Sequence, residues 1–168
     1  MDIATSYWYF KPEIQKWIYD NFSEESKILD VGPGSATYYK LLSSKYKNID
    51  AVEVYEQNII DYDLKNKYSN VLNKDIRDFE YDYYDLIIFG DIIEHLTIEE
   101  AQKVLDYAYG RCKNMIVAVP YLLPQDANEN PYEEHKQSDL TIENTTERYP
   151  NLKLLYGNSK YGYYIKNE

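Results

Sequence analysis

A single cysteine, two histidines and a deficit of basic residues narrow the reading at once. Cys112 alone excludes an internal disulfide and any zinc site built on paired cysteines, and agrees with a reducing compartment. No apolar run reaches the roughly 20 residues of a membrane-spanning helix, and no basic-then-apolar leader opens the chain. The expectation is a soluble cytoplasmic protein with no membrane partner. Lys and Arg number 18 against 29 Asp and Glu, a formal charge of −11. That balance counts against extended nucleic-acid binding, which needs a basic surface, but leaves a nucleotide end or a small molecule open. There is no internal repeat and no low-complexity segment. At 168 residues the expectation is one domain over 1–168, with a core of its own.

What the chain does have is tyrosine. Its 21 tyrosines supply a large share of the 44% hydrophobic content, and many are expected half-buried, hydroxyl toward water. The stretch that organises the chain is Leu29-Asp30-Val31-Gly32-Pro33-Gly34-Ser35-Ala36. An apolar strand at 27–31 ends in a turn where Gly32 and Gly34 leave no side chain between backbone and ligand. A helix is expected over 35–46, with Ser35 as its cap. This is the opening of a mononucleotide-binding β-α unit. The dinucleotide fingerprint needs glycine where Thr37 stands, and no Gly-Lys-Ser/Thr follows to make a phosphate loop. Asp30, just before the glycine pair, suits a ligand carrying a cation near the turn.

Other segments follow in alternation. Residues 1–24 form an N-terminal helical cover, with Pro12 in a first turn and Ile14, Trp17, Ile18 and Phe22 at helical spacing. The aromatic cluster at 7–10 reads either as a lid over substrate or as a clamp that packs the N-terminus down. A second strand at 49–54 carries Glu53, about twenty residues past the glycine turn, where a carboxylate can accept two ribose hydroxyls. A helix at 56–66 and a strand at 70–73 lead to Lys74-Asp75-Ile76. The run 85–89 is apolar throughout, as a central parallel strand is, and delivers Gly90-Asp91-Ile92-Ile93-Glu94-His95-Leu96 to the sheet's carboxyl edge. Thr97 and Glu100 make a capping box before a stripe of Ala101, Val104, Leu105 and Ala108. A strand at 114–119 stops at Pro120, a polar loop spans 120–137 over the active edge, and a helix is expected at 139–148. The segments 152–156 and 161–165 make a hairpin around Gly157-Asn158. The fold class is therefore α/β, a Rossmann-like, mostly parallel sheet with helices on both faces and a C-terminal antiparallel hairpin.

Residues 29–36 resemble motif I of the class I S-adenosylmethionine-dependent methyltransferases, with Ala36 in place of a third glycine, and the resemblance extends from about residue 27 to the end. It implies S-adenosyl-L-methionine as cofactor, bound by Asp30, Gly32, Gly34, Glu53, Asp75, Ile76 and Asp91. Glu53 would take the ribose, and Asp75 the adenine amino group beside the apolar face of Ile76. Asp78 competes with Asp75 for that place.

Methyl transfer from a sulfonium is an in-line displacement in which the enzyme positions the acceptor and handles its proton. Asp91, His95 and His135 are the expected catalytic groups. Asp91, Glu94 and His95 would share a face if 91–95 made a helical turn, and with His135 could hold Mg or Mn. The segment Asp91-Ile92-Ile93-Glu94-His95-Leu96 looks like the Glu-x-x-Glu-His-Leu of plant-type small-RNA 3′-terminal 2′-O-methyltransferases, with Asp91 replacing a glutamate. A similar Glu-His pair occurs in many small-molecule methyltransferases, including quinone-ring O-methyltransferases, often without metal, which reads His95 or His135 as a metal-free acceptor-side base; a structural His95 is the third reading. The Asn/Asp-Pro-Pro-aromatic motif of amino methylation does not follow the 85–89 strand. Cys112 reads as core. The expected function is methylation of a small-molecule oxygen. The rivals are metal-dependent 2′-O-methylation of an RNA 3′ end, a non-catalytic S-adenosylmethionine-binding regulator, and a nicotinamide-dependent enzyme.

Overall fold

A computed structural model describes residues 6–167 of the chain. Seven strands form one sheet: β1 (Ile28–Val31), β2 (Ile49–Val52), β3 (Asn70–Leu72), β4 (Tyr84–Gly90), β5 (Cys112–Pro120), β6 (Leu152–Gly157) and β7 (Tyr161–Lys166). Their order is β3-β2-β1-β4-β5-β7-β6. β1 pairs in parallel with β2 and β4, β2 with β3, and β4 with β5, while β7 runs antiparallel to both β5 and β6. The expected strand-helix alternation and terminal hairpin are both present.

Strand alternation divides the core between two faces. Leu29, Val31, Ile87, Phe89, Met115 and Val117 pack under α4 (Ile98–Tyr109). Ile28, Leu86, Ile88, Ile116 and Ala118 pack under α1 (Lys11–Asn21), α2 (Thr37–Leu42) and α3 (Glu56–Asp61). α1 starts with Pro12 in its first turn and buries Ile14 and Ile18. The start of α4 is fixed by the Thr97–Glu100 box: Thr97 Oγ1 accepts from the Glu100 amide at 3.2 Å, and Glu100 Oε2 accepts from the Thr97 amide at 2.9 Å. Its stripe of Ala101, Val104, Leu105 and Ala108 is buried. A second box, Thr141 with Asn144, opens α5 (Ile142–Arg148). Cys112 is buried on β5.

Four local expectations shift. The helix expected at 35–46 begins at Thr37 and ends at Leu42; Ala36, at φ +63°, holds the cap position without a side-chain bond. Ser35 does not cap because the turn continues past it, with Gly32, Gly34 and Ala36 all left-handed. The helix expected at 56–66 breaks after Asp61, where Asp63 at φ +51° turns the chain into a short 3₁₀ segment, Leu64–Asn66. The helix expected at 139–148 starts only at Ile142. Finally, several tyrosines are wholly buried: Tyr46, Tyr161, Tyr163 and Tyr164 are at most 1% exposed. Their hydroxyls need no water because the protein supplies partners; Tyr46 donates to the Ile18 and Phe22 carbonyls, and Tyr121 and Tyr164 bond each other. Among the described residues no helix is long and apolar enough to cross a membrane.

Candidate cofactor and acceptor site

A cleft of about 340 Å³ opens at the carboxyl ends of β1, β2 and β4, the edge where parallel sheets bind ligands. It is large enough for a small organic molecule. Its centre is the glycine turn. Gly32 donates to the Val52 carbonyl at 2.8 Å, tying the turn to β2. Its left-handed φ, and an Ile92 side chain only 2.3 Å from where a Cβ would stand, leave no room for another residue. Glu53, 4% exposed, faces the turn: its Oε1 accepts from the Tyr55 amide at 2.9 Å, and its Oε2 from Gly34 N and Asn58 Nδ2, each at 3.4 Å. Burial pushes its pKa up, and those donors oppose the shift.

At one end of the cleft stand Lys74, Asp75, Ile76 and Arg77. Asp75 is gripped by Arg77, with Oδ2 2.6 Å from Nη2 and Oδ1 3.0 Å from Nε. Hydrogen bonding from Arg77 holds its carboxyl below the usual range. Asp78 does not line the cleft. Neither does Asp30. Its side chain lies on the Ile28 face of β1, where Oδ2 accepts from Tyr68 at 2.7 Å and burial raises its pKa to about 7.

The acceptor side is built by the β4 exit. Gly90 lets Tyr38 pack against the backbone, its ring 2.3 Å from where a Cβ would be. Residues 91–95 do not form a continuous helical turn. Asp91 sits at φ +58° and only Ile93–His95 make a 3₁₀ turn. The kink separates Asp91 from the other candidate ligands: its Oδ1 accepts from Tyr161 at 2.7 Å. Glu94, His95 and His135 do converge, each offering a ligand atom within 4.8 Å of the others. The loop is stitched down to achieve this. The Glu94 carbonyl accepts from both Lys136 and Gln137 amides at 2.8 and 3.0 Å, and Gln137 Nε2 donates to the Ile93 and Leu96 carbonyls.

The histidine protonation states follow from their partners. His95 Nδ1 lies 3.2 Å from the Glu134 carbonyl, and His135 Nδ1 lies 2.7 Å from the Leu123 carbonyl. A carbonyl only accepts, so each Nδ1 carries the proton and each Nε2 keeps its lone pair. Burial lowers both pKa values, that of His95 to about 4. Both rings are neutral at pH 7. Glu94 is 1% exposed, both of its carboxyl oxygens lack a hydrogen-bond partner among the described residues, and burial pushes its pKa far up. Two neutral imidazoles, oriented by carbonyls, beside an unpartnered carboxyl fit a divalent cation. Asp91 does not join them.

Sequence reasoning missed the N-terminal contribution. Ser6 and Tyr7 line the cleft, and Lys11 is wholly buried beside it. The aromatic cluster works as a clamp: Tyr7 meets Tyr161 edge-on at 5.8 Å and Phe10 stacks on Tyr156 at 6.0 Å. Tyr7 also forms cleft wall. A lysine next to a helix-start proline carries no signal of burial; two of the tyrosines that enclose it, Tyr161 and Tyr163, come from the far end of the chain.

No protein-family model and no curated protein matches the sequence. Solved structures do match in fold. An S-adenosylmethionine-dependent methyltransferase from Clostridium acetobutylicum aligns with a TM-score of 0.70 at 13% identity, over 93% of this chain and 89% of that one. Magnesium protoporphyrin IX methyltransferase from Synechocystis, solved with bound S-adenosylmethionine, aligns at 0.66 and 12% identity, over 94% and 78%. The N-methyltransferase NodS from Bradyrhizobium japonicum aligns at 0.62 and 14% identity, over 95% and 97%. With the strand order, the glycine turn and the cleft in their expected places, the chain has the class I S-adenosylmethionine-dependent methyltransferase fold.

Proposed function

We propose that the protein transfers a methyl group from S-adenosylmethionine to an oxygen of a small-molecule acceptor. The observation that carries the reading is the cleft in which the Gly32–Gly34 turn and the buried Glu53 carboxylate face each other. In this reading Glu53 accepts the ribose hydroxyls, the turn passes along the cofactor backbone, and Asp75 with Ile76 takes the adenine. The methyl carbon is then presented to the β4 exit. S-adenosylmethionine would supply the methyl group, its sulfur leaving as a neutral thioether as the acceptor oxygen bonds in line, and the acceptor's proton would pass to a base. Of Asp91, His95 and His135, the last is best suited: the Leu123 carbonyl holds its Nδ1 proton and leaves Nε2 as the acceptor, whereas burial lowers the His95 pKa to about 4. Asp91 has one oxygen committed to Tyr161. The name of the Synechocystis neighbour, a porphyrin methyltransferase, supports a small-molecule acceptor. The test is S-adenosylhomocysteine release from S-adenosylmethionine in the presence of hydroxyl-bearing and amine-bearing small molecules in parallel. Turnover confined to amines would overturn the oxygen assignment.

A second reading is favoured by the convergence of Glu94, His95 and His135. These would hold a divalent cation, and two imidazoles with one carboxylate suit Mn²⁺ better than the oxygen-seeking Mg²⁺. Such a cation would polarise an acceptor hydroxyl. Calorimetric titration with MnCl₂ decides it: saturable heat that disappears in His95→Ala supports the site, and no saturable heat removes it.

A further inference from the structure

Gln137 ends the loop that carries His135, and it is 3% exposed. A primary amide has two N–H donors and an oxygen with two lone pairs. In Gln137 all four are used. Nε2 donates to the Ile93 carbonyl at 2.8 Å and to the Leu96 carbonyl at 3.1 Å. Oε1 accepts from Tyr149 OH at 2.8 Å and from Arg148 Nη1 at 3.2 Å. The partners fix which way the amide faces, because carbonyls only accept and a guanidinium only donates.

The two carbonyls that it holds flank Glu94 and His95. Ile93–His95 is a single 3₁₀ turn, and a turn this short supplies few of its own carbonyl partners. Gln137 supplies them from outside, and its backbone N–H also donates to the Glu94 carbonyl at 3.0 Å. The oxygen half of the amide is fixed by the end of α5. There Arg148 Nη1 also donates to Asp139 Oδ1 at 3.0 Å, and the Arg148 carbonyl accepts from Gln102 Nε2 of α4 at 3.1 Å. A cation on the oxygen polarises the amide and strengthens the Nε2 donors on its far side.

This support controls how two segments meet. Glu94 and His95 arrive from the β4 exit and His135 from the loop, and their ligand atoms lie within 4.8 Å of one another. The His95 Nδ1 contact with the Glu134 carbonyl spans the two segments, whereas the His135 Nδ1 contact with the Leu123 carbonyl lies within the loop. Slippage of the turn against the loop would break the first and spare the second.

We infer that Gln137 is a positioning residue: its side-chain amide sets the turn that carries Glu94 and His95 against the loop that carries His135. Gln137 does not itself line the cleft, so it acts through these three side chains. The inference rests on the reading of their cluster as the acceptor or cation side and extends that reading to a residue outside the cleft.

The test reads the two imidazoles directly. Long-range ¹H–¹⁵N spectra are recorded above neutral pH on the full chain with ¹⁵N-labelled histidine, for wild type, Gln137→Met, Gln137→Asn and Tyr149→Phe. The chain has two histidines, and His135→Gln assigns their signals. Both wild-type rings are expected to carry their proton on Nδ1. Met has no donor and Asn is one methylene too short to reach both carbonyls. In these two variants His95 should lose its single form, its nitrogen signals moving toward each other, while His135 keeps the wild-type pattern. Tyr149→Phe removes a bond to Oε1 but keeps both Nε2 bonds; it should lower the melting temperature and leave His95 unchanged, separating stability from positioning. Affinity for S-adenosylhomocysteine, measured by calorimetry, should stay within about threefold of wild type in all three. Unchanged His95 signals in folded Gln137 variants overturn the inference, as does equal disturbance of both rings or a wild-type His95 without its Nδ1 proton. Failure of both Gln137 variants to fold also overturns it, by assigning the side chain to the fold alone. A wild type that binds no S-adenosylhomocysteine removes the cofactor reading and leaves the imidazole result standing.

Discussion

His95 and His135 stand edge to face, ring centroids 4.7 Å apart, although forty residues separate them in the chain. Each gives its Nδ1 proton to a carbonyl of the loop that carries His135. The loop is held in turn by the carbonyl of Glu94, whose carboxyl group completes the cluster. One residue thus anchors the loop through its backbone and faces it with its side chain.

In the cation reading, Glu94 would be kept for a ligand at the expense of stability. Its carboxyl group is buried without a hydrogen-bond partner among the described residues, so replacing it by the neutral Gln is expected to stabilise the fold at pH 8 by about 1–3 kcal/mol. The same Glu94→Gln change should abolish Mn²⁺ binding. Paired thermal melts and Mn²⁺ paramagnetic resonance check both halves. A destabilised variant that still binds Mn²⁺ would contradict this account of Glu94.

Asp30 gives a pH signature of definite sign. Its folded pKa of about 7 lies above that of an unfolded aspartate, because burial disfavours the charge. Below pH 4 the group is protonated in both states and its contribution is intact. As pH rises from 4 to 7 the unfolded chain ionises while the folded one does not, and stability is lost at up to about 1.4 kcal/mol per pH unit. Asp30→Asn should therefore gain on wild type across pH 4 to 7 in urea titrations, then level off. Since Asp30 does not line the cleft, the variant's affinity for S-adenosylhomocysteine should stay within about threefold of wild type. A large loss would put Asp30 back in the site.

Much of this architecture is legible in the sequence because single-residue physics dictates it. The runs that became β1, β4 and β5 are apolar in both strand phases, as strands covered on both faces must be, and the Thr97–Glu100 box marks the start of α4 unaided. Glu53 is legible from its distance to the glycine turn. What is not legible depends on chain direction at single residues or on distant partners. Nothing in the sequence near Asp91 requires its left-handed backbone, yet that conformation removes it from the Glu94–His95–His135 cluster. Ser35 reads as a helix cap until the left-handed Ala36 carries the turn past it. Nothing in the sequence around Lys11 marks it for burial, which depends on Tyr161 and Tyr163, about 150 residues away.

Gly162 supports the hairpin where β7 crosses the aromatic layer. A Cβ there would lie 1.8 Å from Tyr121 OH, which is bonded to Tyr164 OH at 2.5 Å. Gly162→Ala is expected to destabilise the protein by roughly 1–3 kcal/mol through overpacking. Adding Tyr121→Phe, which removes the offending oxygen, should recover part of the loss. Additive effects of the two changes in a double-mutant cycle would contradict the contact.

The most direct test of the central claim is calorimetric titration of S-adenosylhomocysteine into wild type and Glu53→Ala, with melting curves to confirm that both are folded. The account predicts micromolar binding by wild type, about −8 kcal/mol, and a loss of roughly tenfold or more in Glu53→Ala. Equal affinity in the two proteins, or no binding by a folded wild type, would contradict it.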